Sequence, residues 1–206
     1  MLIRELLLLD HIEEDRIGTA LWKNSVPEKY KQYPIIGQGA TSVVLDKGDG
    51  NVIVLTRDAM KKDWLCQNWG LGLGDWIETL DIGHRKSREL SELQVYVIVM
   101  PKLFALSPKN KKNVKQSITQ YEEIVRRNSG RITDRLMDYL EKHPDGLFAQ
   151  LIEFLLNYDE SQYSIDFLMR NFLQDAQGKI VLIDPIVSRD LVDILRAVRE
   201  YAIQRK

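Results

Sequence analysis

One cysteine in 206 residues, Cys66, excludes an intrachain disulfide, so packing and hydrogen bonds alone must hold the fold, as suits a reducing cytosol. Cys66 itself reads as a small buried apolar residue rather than a nucleophile. Only three histidines occur, and His11, His84 and His143 have no second His or Cys at ligand spacing, which argues against zinc and against a histidine-based triad. No run approaches the roughly 20 apolar residues needed to cross a bilayer. The run Leu6-Leu7-Leu8-Leu9 is too short for a signal peptide and is followed by Asp10, Glu13, Glu14 and Asp15. A net charge of −1 gives no electrostatic reason to expect nucleic acid or an anionic membrane as the main partner. Trp22, Trp64, Trp69 and Trp76 lack an accompanying basic stripe, so they read as core anchors and not as a base-stacking platform.

What is present is a chain 44% hydrophobic, long enough to bury a substantial core, in which two lobes of one domain fit better than two independent domains. No repeat and no low-complexity linker interrupts it. Residues 2 to 21 read as an amphipathic helix packed on the first lobe, with a leucine density that could also serve a partner. Tyr33-Pro-Ile-Ile-Gly-Gln-Gly-Ala-Thr-Ser-Val-Val-Leu45 reads as strand, Gly-x-Gly turn, strand, and Asn51-Val-Ile-Val-Leu-Thr56 as a third strand after the Gly48-Asp49-Gly50 turn. A short helix is expected over 59–68, with Trp64 and Leu65 inward, broken by Gly70-Leu-Gly-Leu-Gly74. Leu93 to Pro101 is a long apolar strand. Helices follow over Asn113–Val125, around Ile132, Leu136 and Leu140, and over Leu147–Leu156. Lys109, Lys111, Lys112 and Lys115 read as a solvated face, with a phosphate or acidic-substrate contact as the alternative. A last helix starts at Ser188 as N-cap, with Leu191, Leu195, Val198 and Ala202 along one face.

The chemistry concentrates late in the chain. Asp166 and Asn171 lie five apart in Ser164-Ile-Asp-Phe-Leu-Met-Arg-Asn171, and Asp184 ends the apolar run Lys179-Ile-Val-Leu-Ile183 that follows the Gln177-Gly178 turn. A carboxylate and an amide from one loop, with a second carboxylate from a strand end, can converge on a phosphate-bound divalent cation. Phosphoryl transfer needs such a set, because it asks the protein for a base or positioning group and for hard oxygen ligands to Mg2+. The plainer alternative is that Asp and Asn beside turns cap helices or close Asx-turns.

These motifs resemble the protein-kinase-like superfamily, over roughly residues 33 to 187. The Asp-x4-Asn loop and strand-end Asp look like its catalytic loop and metal-binding Asp, with Ser164-Ile165-Asp166 in place of His-Arg-Asp and Asp184-Pro185 in place of Asp-Phe-Gly. Both departures are similar to the small early Ser/Thr protein kinases of bacteriophages that encode their own single-subunit RNA polymerase. The resemblance implies a reduced α+β kinase-like fold of one domain over 1–206: an N-terminal helical extension (1–32), a β-rich N-lobe (33–101) and a helical C-lobe (102–206). It implies ATP and Mg2+ as cofactors, a host protein as substrate or target, and a host-cytoplasmic location. It also assigns roles: Asp166 as base with Arg170 beside it, Asn171 and Asp184 as metal ligands, and Gly37, Gly39, Ser42, Arg57 and Met100 as nucleotide contacts, Ser42 replacing a third glycine and Met100 marking the hinge.

Three departures qualify that expectation. Val54 occupies the slot of the phosphate-binding Lys, with Arg57 the nearest cation on the strand, facing opposite by alternation unless a bulge intervenes, and Lys47, Lys61 and Lys62 as looser candidates. No Glu stands in the 59–68 helix to pair with such a Lys, although Asp63 is available. Twenty-two residues follow Asp184, too few for a long activation segment. Three functions are therefore carried forward: a Ser/Thr protein kinase, a pseudokinase that binds a host protein with or without nucleotide, and a small-molecule phosphotransferase.

Overall fold

A computed structural model describes residues 26–39, 41–67, 70–81, 94–127, 132–189 and 191. The helix expected over 2–21, Trp22, Trp69, His11, His84 and all but the first turn of the helix expected after Ser188 lie outside these residues. The chain is mixed α+β and divides into two compact units: residues 1–62 with 74–101 and 191–206, and residues 63–73 with 102–190. One break between the units falls between Pro101 and Lys102. Residues 63–73 group with the second unit rather than with the β-rich part, for reasons given below, and 191–206 group with the first.

The first unit is built on a five-stranded antiparallel sheet. Its strands are β1 (Ile35–Gln38), β2 (Ser42–Asp46), β3 (Asn51–Thr56), β4 (Asp75–Asp81) and β5 (Gln94–Pro101), in the order β1-β2-β3-β5-β4. The β-branched runs Val43-Val44 and Val52-Ile-Val54 suit a pleated surface, and alternation sends Val43, Leu45, Ile53, Leu55, Val95 and Val97 to one face. Val26, Tyr30 and Tyr33 pack on that face.

Strand β4 has no counterpart in the sequence reading, because Asp75, Glu78 and Asp81 break its apolar signal. An edge strand tolerates those charges. Trp76, expected in the core, is instead 53% exposed on this edge beside a bulge, with the Lys62 ammonium 4.8 Å above its ring. Glu78 accepts a hydrogen bond from Lys29 Nζ at 2.6 Å and another from the Tyr30 hydroxyl, which ties the single 3-10 turn Glu28–Tyr30 to β4.

The second unit carries helices and two small ladders. Helix α1 (Ala59–Cys66) begins in the first unit and ends in the second. Asp58 caps its start, accepting from the Met60 N–H at 2.9 Å, and Trp64 and Leu65 are buried as expected. Cys66 is half-buried. The glycine-rich segment folds back on the end of α1: Leu71 N–H donates to Trp64 O at 2.6 Å and Leu73 N–H to Leu65 O at 2.9 Å. Gly70 makes this approach possible, since a Cβ there would collide with the Trp64 carbonyl oxygen and stand 3.0 Å from its carbonyl carbon.

Helix α2 (Pro108–Arg127) starts five residues before the expected Asn113. The start signal is Ser107-Pro108, a hydroxyl N-cap followed by proline at the first helical position. Ser107 Oγ accepts from Asn110 N–H at 3.3 Å, and Gln174 Oε1 accepts from Ser107 N–H at 2.8 Å and Asn110 Nδ2 at 2.9 Å. Lys109, Lys111, Lys112 and Lys115 are exposed. Helices α3 (Ile132–Lys142) and α4 (Ala149–Leu155) lie where expected. Strand β6 (Tyr163–Ile165) pairs with β9 (Ile186–Ser188), and β7 (Phe172–Gln174) with β8 (Ile180–Leu182). Ser188 closes β9, and helical geometry begins at Arg189. No helix among the described residues is long and apolar enough to cross a membrane.

Two outcomes test this packing. Gly70→Ala should lower stability by about 1–3 kcal/mol, because the clash is with backbone and only a shift of α1 relieves it; an unchanged denaturation midpoint would sink the account. The Lys29 and Tyr30 bonds, Lys29 first, hold the Glu78 carboxyl below the usual carboxylate range. A lowered folded pKa stabilises above the unfolded value of about 4.3 and loses that effect as pH falls through the folded one. The melting-temperature gap between wild type and Glu78→Gln should therefore be small at neutral pH and close below about pH 4.

Candidate functional site

The residues singled out by sequence divide between the units: Gly37, Gly39, Ser42, Arg57 and Met100 in the first, Asp166, Arg170, Asn171 and Asp184 in the second. In the second unit the two ladders bring the loop and the strand end together. Asp166 directly follows β6, Asn171 directly precedes β7, and Asp184 lies between β8 and β9. Asp166 N–H donates to Pro185 O at 2.7 Å, and Ile183 N–H donates to Asn171 O at 2.8 Å. Each residue beside Asp184 is thus bonded to one end of the 166–171 loop. Strand β8 stops at Leu182, so Asp184 stands two residues past the strand end on which it was expected.

Asn171 is the most buried of the three, at 6% exposure, while Asp166 and Asp184 are half-buried and Arg170 is exposed. Its Nδ2 donates to the Asp166 carbonyl at 3.0 Å and closes the loop on itself. A carbonyl only accepts, so the amide nitrogen must face it and Oδ1 is directed away. That leaves an oxygen available to a hard cation. Asn171 therefore closes the loop through its nitrogen while its side-chain oxygen faces away from that carbonyl.

Neighbouring side chains hold the loop. Phe167 stacks on Phe148 with centroids 4.3 Å apart and meets Tyr121 edge-on at 4.4 Å, and Phe172 packs edge-on against Phe148. Burial pushes the Tyr121 phenol up to about 12, so it stays protonated. The hairpin between β7 and β8 turns at Gly178, whose φ of 82° suits glycine, with Asp175 Oδ1 accepting from the Gln177 and Lys179 N–H groups. Arg189 Nε donates to Tyr163 O at 2.8 Å, fixing the strand that leads into Asp166.

In the first unit, Gly37 belongs to β1 and pairs with Val44, and Gly39 N–H donates to Ser42 O at 2.8 Å. Neither glycine has a positive φ, and a Cβ on Gly39 would meet nothing within 4 Å. The described fold therefore supplies no steric or conformational reason for glycine at 39. Ser42 is buried and its hydroxyl donates to Thr56 Oγ1 at 2.9 Å, a bond inside the sheet. Met100 is buried at the end of β5, one residue past the last β4 partner, Val99.

The slot at Val54 is apolar: Gly37, Val44, Val54, Ile98 and Trp76 form one cross-strand row. Arg57 is buried, which pulls its guanidinium below the usual value, and its backbone N–H donates to Thr41 O at 2.9 Å. Lys61 is buried, Lys62 lies over the Trp76 and Tyr96 rings, and Lys47 pairs with Asp49 in the β2–β3 turn. Asp63 accepts from the Tyr158 hydroxyl at 3.0 Å within the second unit.

Trp64 and Gln174 are the residues whose part was not visible in sequence. Trp64 Nε1–H donates to Leu182 O at 2.8 Å, and Gln174 joins β7 to the start of α2. Trp64 was legible as buried, but its partner lies 118 positions away. Among the described residues no three His, Cys, Asp or Glu side chains gather as a metal-holding group. No family model, curated protein or solved structure matches the chain.

Asn171→Asp tests the loop geometry. The introduced carboxylate would face the Asp166 carbonyl without a proton to donate, at a cost of about 1–3 kcal/mol near neutral pH. Its folded pKa would be raised by that repulsion, so the deficit should shrink as pH falls toward the unfolded value of about 3.9. A deficit independent of pH in chemical denaturation would contradict this geometry.

Proposed function

We propose that this chain is a reduced kinase-like phosphotransferase that uses ATP and Mg2+ to transfer the γ-phosphoryl group to Ser or Thr of a host protein. The observation that carries the proposal is the bonding of Asp166–Asn171 to both neighbours of Asp184, which ties a carboxylate-and-amide loop to a second carboxylate. Asp166 positions the acceptor hydroxyl and takes its proton. Asn171 Oδ1 and the Asp184 carboxylate supply hard oxygen to Mg2+, which neutralises charge on the phosphates. Arg170, exposed beside Asn171, offers charge to the transferring group. The glycine at 39, unexplained by the described fold, fits a backbone that a phosphate approaches.

The apolar row through Val54 favours a second reading, a pseudokinase whose kinase-like frame binds and inhibits a host protein. Deleting one electrostatic donor aimed at developing transition-state charge costs about 2.7–4 kcal/mol, on the order of 10² to 10³ in rate, and an absent phosphate-binding ammonium is a loss of the same kind. Slow turnover and pure binding are both compatible with that loss.

Thermal melting with ATP and Mg2+, beside γ-labelled phosphate transfer to host lysate proteins, separates the readings. Ligand at 100 times its Kd should stabilise by about 2.7 kcal/mol. The shift should vanish in Asp184→Ala and weaken in Gly39→Ala, whose own stability should stay within about 0.5 kcal/mol of wild type. Transfer should vanish in Asp166→Ala. A shift without transfer selects the pseudokinase, and neither shift nor transfer removes the enzyme.

A further inference from the structure

We propose that Trp64 is a positioning residue for Asp184, an inference that rests on reading Asp184 as a metal ligand. The indole Nε1–H donates to the buried Leu182 carbonyl at 2.8 Å, and the next amide, Ile183 N–H, donates to Asn171 O at 2.8 Å. Those two groups belong to one planar peptide. The plane that leads into Ile183 and Asp184 is therefore held at both ends, by an indole on one side and by the Asp166–Asn171 loop on the other. Beyond Asp184, proline fixes its own φ, and the Pro185 carbonyl accepts from Asp166 N–H. Asp184 is set between a clamped peptide and a proline.

The donor is itself fixed. Trp64 is 1% exposed, meets Phe154 edge-on at 5.2 Å, and has its own carbonyl held by Leu71 N–H. Asp63, the preceding residue, is held by Tyr158. The indole cannot follow a moving carbonyl, so the carbonyl stays with the indole. Packing against Phe154 asks only for an apolar ring. The N–H is the part of Trp64 that packing leaves unexplained, and its single recorded partner is the carbonyl two residues before Asp184. Without it the 182–183 peptide keeps only the Asn171 bond and can tilt about it, carrying Asp184 off its setting.

The test replaces Trp64 in the full chain by 3-benzothienylalanine, which keeps the bicyclic shape and puts sulfur in place of the N–H, with Phe154→Leu as a packing control. Mn2+ binding in the presence of ADP is read by water-proton relaxation where every chain is folded. Loss of the indole N–H should weaken Mn2+ binding by up to about 10-fold, the low end for groups bonded directly to a metal ligand, whereas the control should bind like wild type, and amide exchange at Ile183 should quicken only in the sulfur analogue. Equal Mn2+ affinity in wild type and analogue overturns the positioning role, whatever happens to exchange. A folded wild type that takes up no Mn2+ with ADP overturns the metal reading of Asp184 itself, and this inference with it.

Discussion

Two backbone hydrogen bonds, Asp166 N–H to Pro185 O and Ile183 N–H to Asn171 O, are the constraint on which the second unit depends. Each extends a ladder of only three residue pairs, β6 with β9 and β7 with β8. Ladders so short are marginal alone, since an isolated hairpin is barely stable in water. They persist because they share one junction and because aromatic rings cover it. Phe148 touches both Phe167, from the loop, and Phe172, from β7, so one buried ring stabilises both sides. Such a junction refers the residues in it to two neighbouring ladders, which one long strand would not do.

The same junction explains why residues 63–73 group with the second unit. The last turn of helix α1 carries Trp64, whose indole N–H donates to Leu182 O, while Gln150 Nε2 donates to Gly70 O and the Tyr158 hydroxyl to Asp63. The returning glycine segment then caps the helix through Leu71 and Leu73. Composition made the 70–74 stretch look like a breaker, and it is one, but its larger part is to let backbone approach backbone at Gly70.

Much of the fold was legible wherever a single local signal dominated. The β-branched runs marked β2, β3 and β5, Gly178 marked the late hairpin, and helical spacing marked α3 and α4. Strand β4 was not legible, because an edge strand has no apolar alternation to display and its partners on β5 lie about 20 positions on. Trp76 was misjudged for the same reason: a tryptophan reads as core, and only the strand order reveals an edge. The start of α2 was underestimated because lysines in a first turn oppose the helix dipole. Ser107, Pro108 and the distant Gln174 outweigh them. At the site, the spacing of Asp166, Asn171 and Asp184 was visible. Their bonds were not, since ladders link residues by register and not by type.

Val54 sits in a row whose chemistry bears on the proposed function. A lysine there would stand in the row Gly37, Val44, Val54, Ile98, at a position 4% exposed, and would need a buried acid to remain charged. Asp63, the acid of helix α1, is only half-buried and accepts a bond from Tyr158 within the second unit. With valine the row is uniformly apolar, and the sheet gains β-branched packing where an ion pair would have had to be desolvated. On the proposed reading, the phosphate charge of a bound nucleotide would have to be met elsewhere. That demand would then fall on a cation held by Asn171 and Asp184 and on Arg170, which is why the setting of Asp184 is the point on which the proposed reading turns.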